Sequence, residues 1–177
     1  MKVKVFRCRI CGDPYIGETP PTDCPFCGAD AKYLIDAHDW DSGEFEVELS
    51  EVSRQNLQAA LELELGNAAF YACARDQAAA AGDEYLLAKF KCLMKVEAEH
   101  ASAICKFLKI EPPEPAATTC SAEGPANSRE GYEREDRAIK AYAGFRDAAS
   151  EPRMQEFFGA LVEIEADHLE IHAADTE

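Results

Sequence analysis

The sequence predicts a mainly α-helical protein: a four-helix bundle with one long crossover, preceded by a small β/loop metal domain. Three observations predict it. Two C-x-x-C-G turns stand close together near the start. Four long stretches after Ser50 carry apolar residues at alternating three- and four-residue steps, the seam of a helix bundle. A proline-rich segment over 110–127 separates the second stretch from the third.

The first unit spans 1–38. Cys8, Cys11, Cys24 and Cys27 form its two C-x-x-C pairs, each aiming two thiolates and nearby backbone N–H groups at one point. Gly12 and Gly28 follow the pairs, where a positive φ is permitted and an N–H can approach a sulfur. Four thiolates suit zinc or iron, and the spacing does not choose between them. A structural zinc ribbon would staple a core too small to hold alone. Gly12, Tyr15, Gly17, Pro20, Pro21 and the run Cys24-Pro25-Phe26-Cys27-Gly28 together look like a short rubredoxin, and that resemblance favours a single iron. Asp13-Pro14 departs from it, because an aromatic residue often follows the first glycine there.

A polar connector is expected over 39–50, and the bundle over 51–177. Helix A is expected over 51–80, with Ser50 or Ser53 as N-cap and Gly82 past its end. Helix B follows over 84–109, capped by Asp83 and stopped by Pro112-Pro113. The linker 110–127 is long enough to return along a helix, so B and C can run parallel, as a single crossover requires. Helix C is expected over 129–149 behind Ser128, and helix D from Pro152 to about Ala174.

Each stripe carries a glutamate among its apolar positions: Glu64, Glu97, Glu135 and Glu165. An ionised glutamate in a dry seam costs several kcal/mol unless paired or metal-bound, and four of them need a common explanation. Helices B and D each carry E-x-x-H, Glu97 with His100 and Glu165 with His168, which places both side chains on one face. Helices A and C each carry a glutamate with a tyrosine seven residues on, Glu64 with Tyr71 and Glu135 with Tyr142. The chain thus repeats a Glu…Tyr helix followed by an E-x-x-H helix. The glutamates of each hairpin lie at closely similar distances from its turn, so all six ligand-type side chains can meet at one height. A Glu from each of two helices plus Glu-x-x-His from the other two is the carboxylate-bridged dinuclear pattern, suited to iron or manganese. Tyr71 and Tyr142 read as hydrogen-bond donors behind the ligands or as plain core aromatics. Glu62, Glu99, Glu163 and Asp167 lie off the stripes and read as solvated; His172 reads as an end-of-helix residue and a weak second-layer candidate.

With both motif sets in view, the chain resembles a rubrerythrin, in the reversed arrangement with the rubredoxin-like unit at the N-terminus. The resemblance implies a ferritin-like di-iron bundle served by a one-iron centre, reducing hydrogen peroxide or dioxygen to water in oxidative stress defence. It implies one iron on Cys8, Cys11, Cys24 and Cys27, and two on Glu64, Glu97, His100, Glu135, Glu165 and His168, the catalytic set. Zinc in the four-cysteine site and manganese in the bundle stay open. It further implies NADH-linked electron supply through an external reductase or rubredoxin, and a homodimer or higher homo-oligomer in which electrons cross between subunits if the two centres of one chain lie too far apart. The rivals are a ferritin-like iron oxidation and handling protein without peroxidase turnover, and a manganese catalase-like activity. One departure stands out: such proteins place a further carboxylate one turn from the helix-C glutamate, where this chain has Tyr132 and Ala138, so redox-linked ligand exchange is in question.

Composition sets the outer bounds. The chain of 177 residues is 47% apolar, enough for a real core. Its 34 acidic against 18 basic residues leave a net charge of -16, which argues against nucleic acid and anionic membranes as partners. No run is long and apolar enough for a signal peptide or a spanning helix. The remaining cysteines, Cys73, Cys92, Cys105 and Cys120, read as small apolar fillers or free thiols, which together with the lack of a signal suggests a cytoplasmic protein.

Overall fold

The structure, a computed structural model, describes residues 2–175. Three short strands, β1 (Lys4–Cys8), β2 (Pro14–Gly17) and β3 (Leu34–Asp36), pair antiparallel in the order β2-β1-β3. Strand β1 ends on Cys8, so the first C-x-x-C turn begins where pairing stops. Four helices follow: α1 (Glu51–Ala81), α2 (Glu84–Leu108), α3 (Gly124–Ala148) and α4 (Pro152–Ala173). Among the described residues no helix is long and apolar enough to cross a membrane.

The helix ends follow local chemistry. The Ser53 N–H donates to Ser50 Oγ at 3.1 Å, and Gly82 closes α1 at φ 71. Asp83 caps α2 through the Leu86 N–H at 2.9 Å. Glu151, at the start of α4, accepts from the Ser50 N–H (2.5 Å) and the Ser53 hydroxyl (2.6 Å). Burial alone would raise this carboxyl, but those donors at the positive end of α1 outweigh it and hold it down at about 2.

The glutamates, histidines and tyrosines expected on the inward stripes are buried. Fully buried Leu57, Ile104, Phe157, Phe158 and Leu161 each contribute about 1.5–3 kcal/mol by leaving water. They place four carboxylates and three imidazoles inside the same seam.

Three expectations are corrected. Helix α3 begins at Gly124 rather than past Ser128, because Pro125 sits in its first turn, where no N–H is needed. Ser128 is buried inside the helix, and its hydroxyl donates to Asp175 at 3.0 Å. The connector is not merely polar: Phe45, Val47 and Leu49 alternate toward the core, and Phe45 packs on Phe107 at 4.9 Å between centroids. Cys73 and Cys120 are not free thiols. They form a disulfide that ties the end of the linker to α1, so cysteine usage no longer argues for a reducing compartment. Cys92 and Cys105 are free, the former exposed and the latter buried.

Candidate metal centre

The four cysteines converge, all buried. Cys8 and Cys27 sulfurs lie 3.7 Å apart and Cys11 and Cys24 sulfurs 3.8 Å apart. A tetrahedron with metal–sulfur bonds of about 2.3 Å has an edge of about 3.8 Å, so the spacing fits a tetrahedral ion. Gly12 and Gly28 take φ of 87° and 78°, as expected after each pair. Their N–H groups go to the carbonyls of Cys8 (2.7 Å) and Cys24 (2.9 Å) rather than to sulfur. The sulfur-directed donors are the Ile10 and Asp13 N–H groups, each at 3.4 Å. The crowded thiols divide their protons: hydrogen bonding with Cys24 pushes Cys11 up, and the same bond pulls Cys24 down.

Within the bundle, Glu64, Glu97, Glu135, Glu165, His100 and His168 lie together, the carboxylates and His100 fully buried. They form two overlapping groups. One joins Glu64 and His100 to Glu97 and Glu165; the other joins Glu135 and His168 to the same Glu97 and Glu165. His100 Nδ1 is 3.5 Å from Glu64 and 3.3 Å from Glu165; His168 Nδ1 is 3.2 Å from Glu97 and 2.8 Å from Glu165. Glu97 and Glu165 are therefore placed to bridge, and the other two pairs to close each end.

Without cations the cluster is electrostatically uneasy. Burial, then the Glu64 charge, pushes the Glu97 carboxyl up to about 7. Burial and the charges of Glu97 and Glu165 raise Glu135 well above its ordinary range. Burial works against charge on the two imidazoles, yet Glu64 raises His100 and Glu165 raises His168. Buried oxygens of all four glutamates, and His100 Nδ1, lack a hydrogen-bond partner. Orphaned donors of this hard, mixed O/N type around two points fit a pair of iron or manganese ions.

Tyr71 and Tyr142 are donors behind the clustered carboxylates: the Tyr142 hydroxyl donates to Glu64 at 2.5 Å, and the Tyr71 hydroxyl donates to Glu135. Two residues the sequence reading undervalued also belong here. His172 is fully buried with Nε2 2.9 Å from the Tyr71 oxygen; burial, then the Lys89 charge, holds it down at about 3. Lys89 is buried beside Ser128 and Asp175. Glu163 is exposed, as expected, and pairs with Lys32 at 2.7 Å. Positions 132 and 138 are Tyr132 and Ala138, so neither supplies a fifth carboxylate.

The two clusters touch within one chain. His100 Nε2 lies 2.9 Å from the Cys27 carbonyl oxygen, while its Nδ1 faces the glutamates. Arg9 pairs with Glu156 of α4 at 2.8 Å, and Lys106 of α2 donates to the Cys11 carbonyl. A Cβ on Gly28 would stand 3.1 Å from Ile164 of α4, so the close approach needs glycine for space as well as for φ. Within one chain the His100 ring thus reaches both clusters.

Fold and clusters define a class: a four-helix bundle with a buried carboxylate–imidazole cluster, against which an N-terminal four-cysteine unit docks. Residues 6–34 match the family model described as the rubredoxin-like domain of rubrerythrin. The chain is 28% identical over 113 residues to reverse rubrerythrin-1 of Clostridium acetobutylicum, a match covering 60% of this chain and 62% of that protein. The chain thus spans less than two thirds of that relative's length. The order found here, four-cysteine unit first and bundle second, is consistent with the reversed arrangement. No solved structure matches the chain.

Proposed function

We propose that this chain is a non-haem di-iron oxidoreductase that reduces hydrogen peroxide to water, with electrons relayed by a one-iron four-cysteine centre. The observation that carries the reading is the His100 ring, which faces the carboxylate cluster through one nitrogen and the Cys27 carbonyl through the other. Glu97 and Glu165 would bridge two irons, Glu64 and His100 would close one end, and Glu135 and His168 the other. Cys8, Cys11, Cys24 and Cys27 would hold the third. An iron pair held there would supply two-electron chemistry for O–O cleavage, and an iron held by the four cysteines would supply one-electron replacement. The balance is one peroxide, two electrons and two protons to two waters.

The chain's own groups do the rest. The packed seam keeps bulk water from the cluster. Tyr71 and Tyr142 hold their protons on Glu135 and Glu64, which orients both terminal carboxylates. The ion pairs of Arg9 and Lys32 with α4 fix the small unit over His100. An external reductase or rubredoxin would supply the electrons. The test is peroxide consumption coupled to NADH through such a reductase. Glu97→Ala removes one bridge and is expected to abolish it; turnover that persists in the variant refutes the ligand assignment.

A further inference from the structure

The sequence repeat makes the two halves of the bundle directly comparable, and three of the buried positions at which they differ lie around Glu135 and Tyr71. His172 stands four residues after His168; the equivalent position, four after His100, is Ile104, also fully buried. Gly131 stands four residues before Glu135; its counterpart before Glu64 is Ala60. Lys89 and Phe157 are the third such pair, each eight residues before its bridging glutamate. Leu57 against Ser128 and Asn67 against Ala138 differ as well, but the stacking behind each tyrosine is alike: Tyr71 stacks on Phe90 at 6.0 Å between centroids, and Tyr142 on Phe158 at 6.3 Å.

The first two differences act on one another directly. A Cβ on Gly131 would stand 2.6 Å from His172 Nε2 and 2.8 Å from Nδ1, so an alanine there would exclude the imidazole. The imidazole stacks on Tyr71 with a 14° interplanar angle and reaches its oxygen. Because the Tyr71 hydrogen is directed to Glu135, the bond to His172 requires the imidazole to donate its Nε2–H. Tyr71 therefore accepts one hydrogen bond while giving another. Tyr142 gives one to Glu64, and its hydroxyl has no other partner among the described residues. A hydroxyl that accepts is polarised and donates more strongly, by about 10–30% per bond. A carboxylate gripped by a stronger donor is a poorer ligand to a cation. The buried Lys89 ammonium lies on the same side, where Asp175 pairs with it.

We propose that His172, seated by Gly131, makes the two cation positions unequal, so that the one bounded by Glu135 and His168 binds more weakly than the one bounded by Glu64 and His100. His172 is then a positioning residue that acts on the metal through Tyr71 and Glu135. The inference rests on the dinuclear reading above.

The test is anaerobic titration of the metal-free full chain with ⁵⁷Fe(II), read by Mössbauer spectroscopy and by equilibrium binding. Wild type is expected to show two distinct ferrous environments, with affinities differing by up to about fivefold, given the strength of a charge-assisted hydrogen bond. His172→Ile with Gly131→Ala copies the other half and is expected to merge the two environments. Ile104→His with Ala60→Gly makes the reverse copy and is expected to merge them from the other side. His172→Gln keeps an N–H donor and is expected to keep the inequality. Two ions that fill equivalent environments in wild type overturn this inference and leave the dinuclear reading standing. An inequality that survives both the His172/Gly131 and the Ile104/Ala60 exchanges also overturns it. A chain that binds no iron pair overturns both.

Discussion

Replacing Glu97 by glutamine in the metal-free protein should stabilise it at pH 8 and do little at pH 5. Glu97 is completely buried, and its carboxyl is pushed from its ordinary 4.5 to about 7 by burial and by Glu64. A carboxyl raised in the native state destabilises that state once ionised. The cost is absent below about 4.5, grows between 4.5 and 7, and is complete above 7. At about 1.4 kcal/mol per unit it reaches about 3 kcal/mol. For a chain of this size each kcal/mol moves Tm by about 2–4 °C, so Glu97→Gln should melt about 6–12 °C above wild type at pH 8. The assay is a pair of thermal melts of chelator-treated protein at the two pH values. A variant that melts below wild type at pH 8, or by the same margin at both pH values, refutes the reasoning. Bound iron should reverse the order, because glutamine cannot replace a bridging carboxylate.

Gly28→Val puts a side chain into the contact with Ile164 and strains a φ of 78°. It should slow reduction of the bundle irons by the four-cysteine centre about tenfold or more in stopped-flow absorbance while leaving both metals bound; an unchanged rate contradicts the docking described above. Reducing the Cys73–Cys120 disulfide opens a link between residues 47 apart, worth about 4 kcal/mol by chain entropy, so a thiol reductant should lower Tm by about 8–16 °C. An unchanged Tm would show that the linker is held to α1 by packing alone.

The parts legible in the sequence were those governed by local periodicity. A three-residue step puts Glu97 with His100, and Glu165 with His168, on one helix face whatever surrounds them, and the Glu…Tyr spacing of Glu64 with Tyr71 and Glu135 with Tyr142 repeats for the same reason. The two C-x-x-C-G turns announce themselves likewise. What stayed hidden depends on which chain segments meet in space. Cys73 and Cys120 belong to a helix and a linker, and nothing in their spacing implies a bond. His172 looked like a helix end because its significance comes from Gly131 on another helix. The Cys27 carbonyl carries no side-chain signature, so its approach to His100 is visible only once the small unit is docked. Ser128 has the chemistry of an N-cap, but Pro125 starts α3 earlier and Asp175 takes the hydroxyl.

The central claim is that one chain holds a thiolate-bound iron beside a carboxylate-bound iron pair. Metal analysis of the purified full chain, taken with its optical spectrum, tests it most directly. The account predicts about three irons per chain and the red colour of a ferric tetrathiolate centre, the sum called for by the two ligand sets. A colourless protein carrying zinc on its cysteines and manganese in its bundle would contradict it.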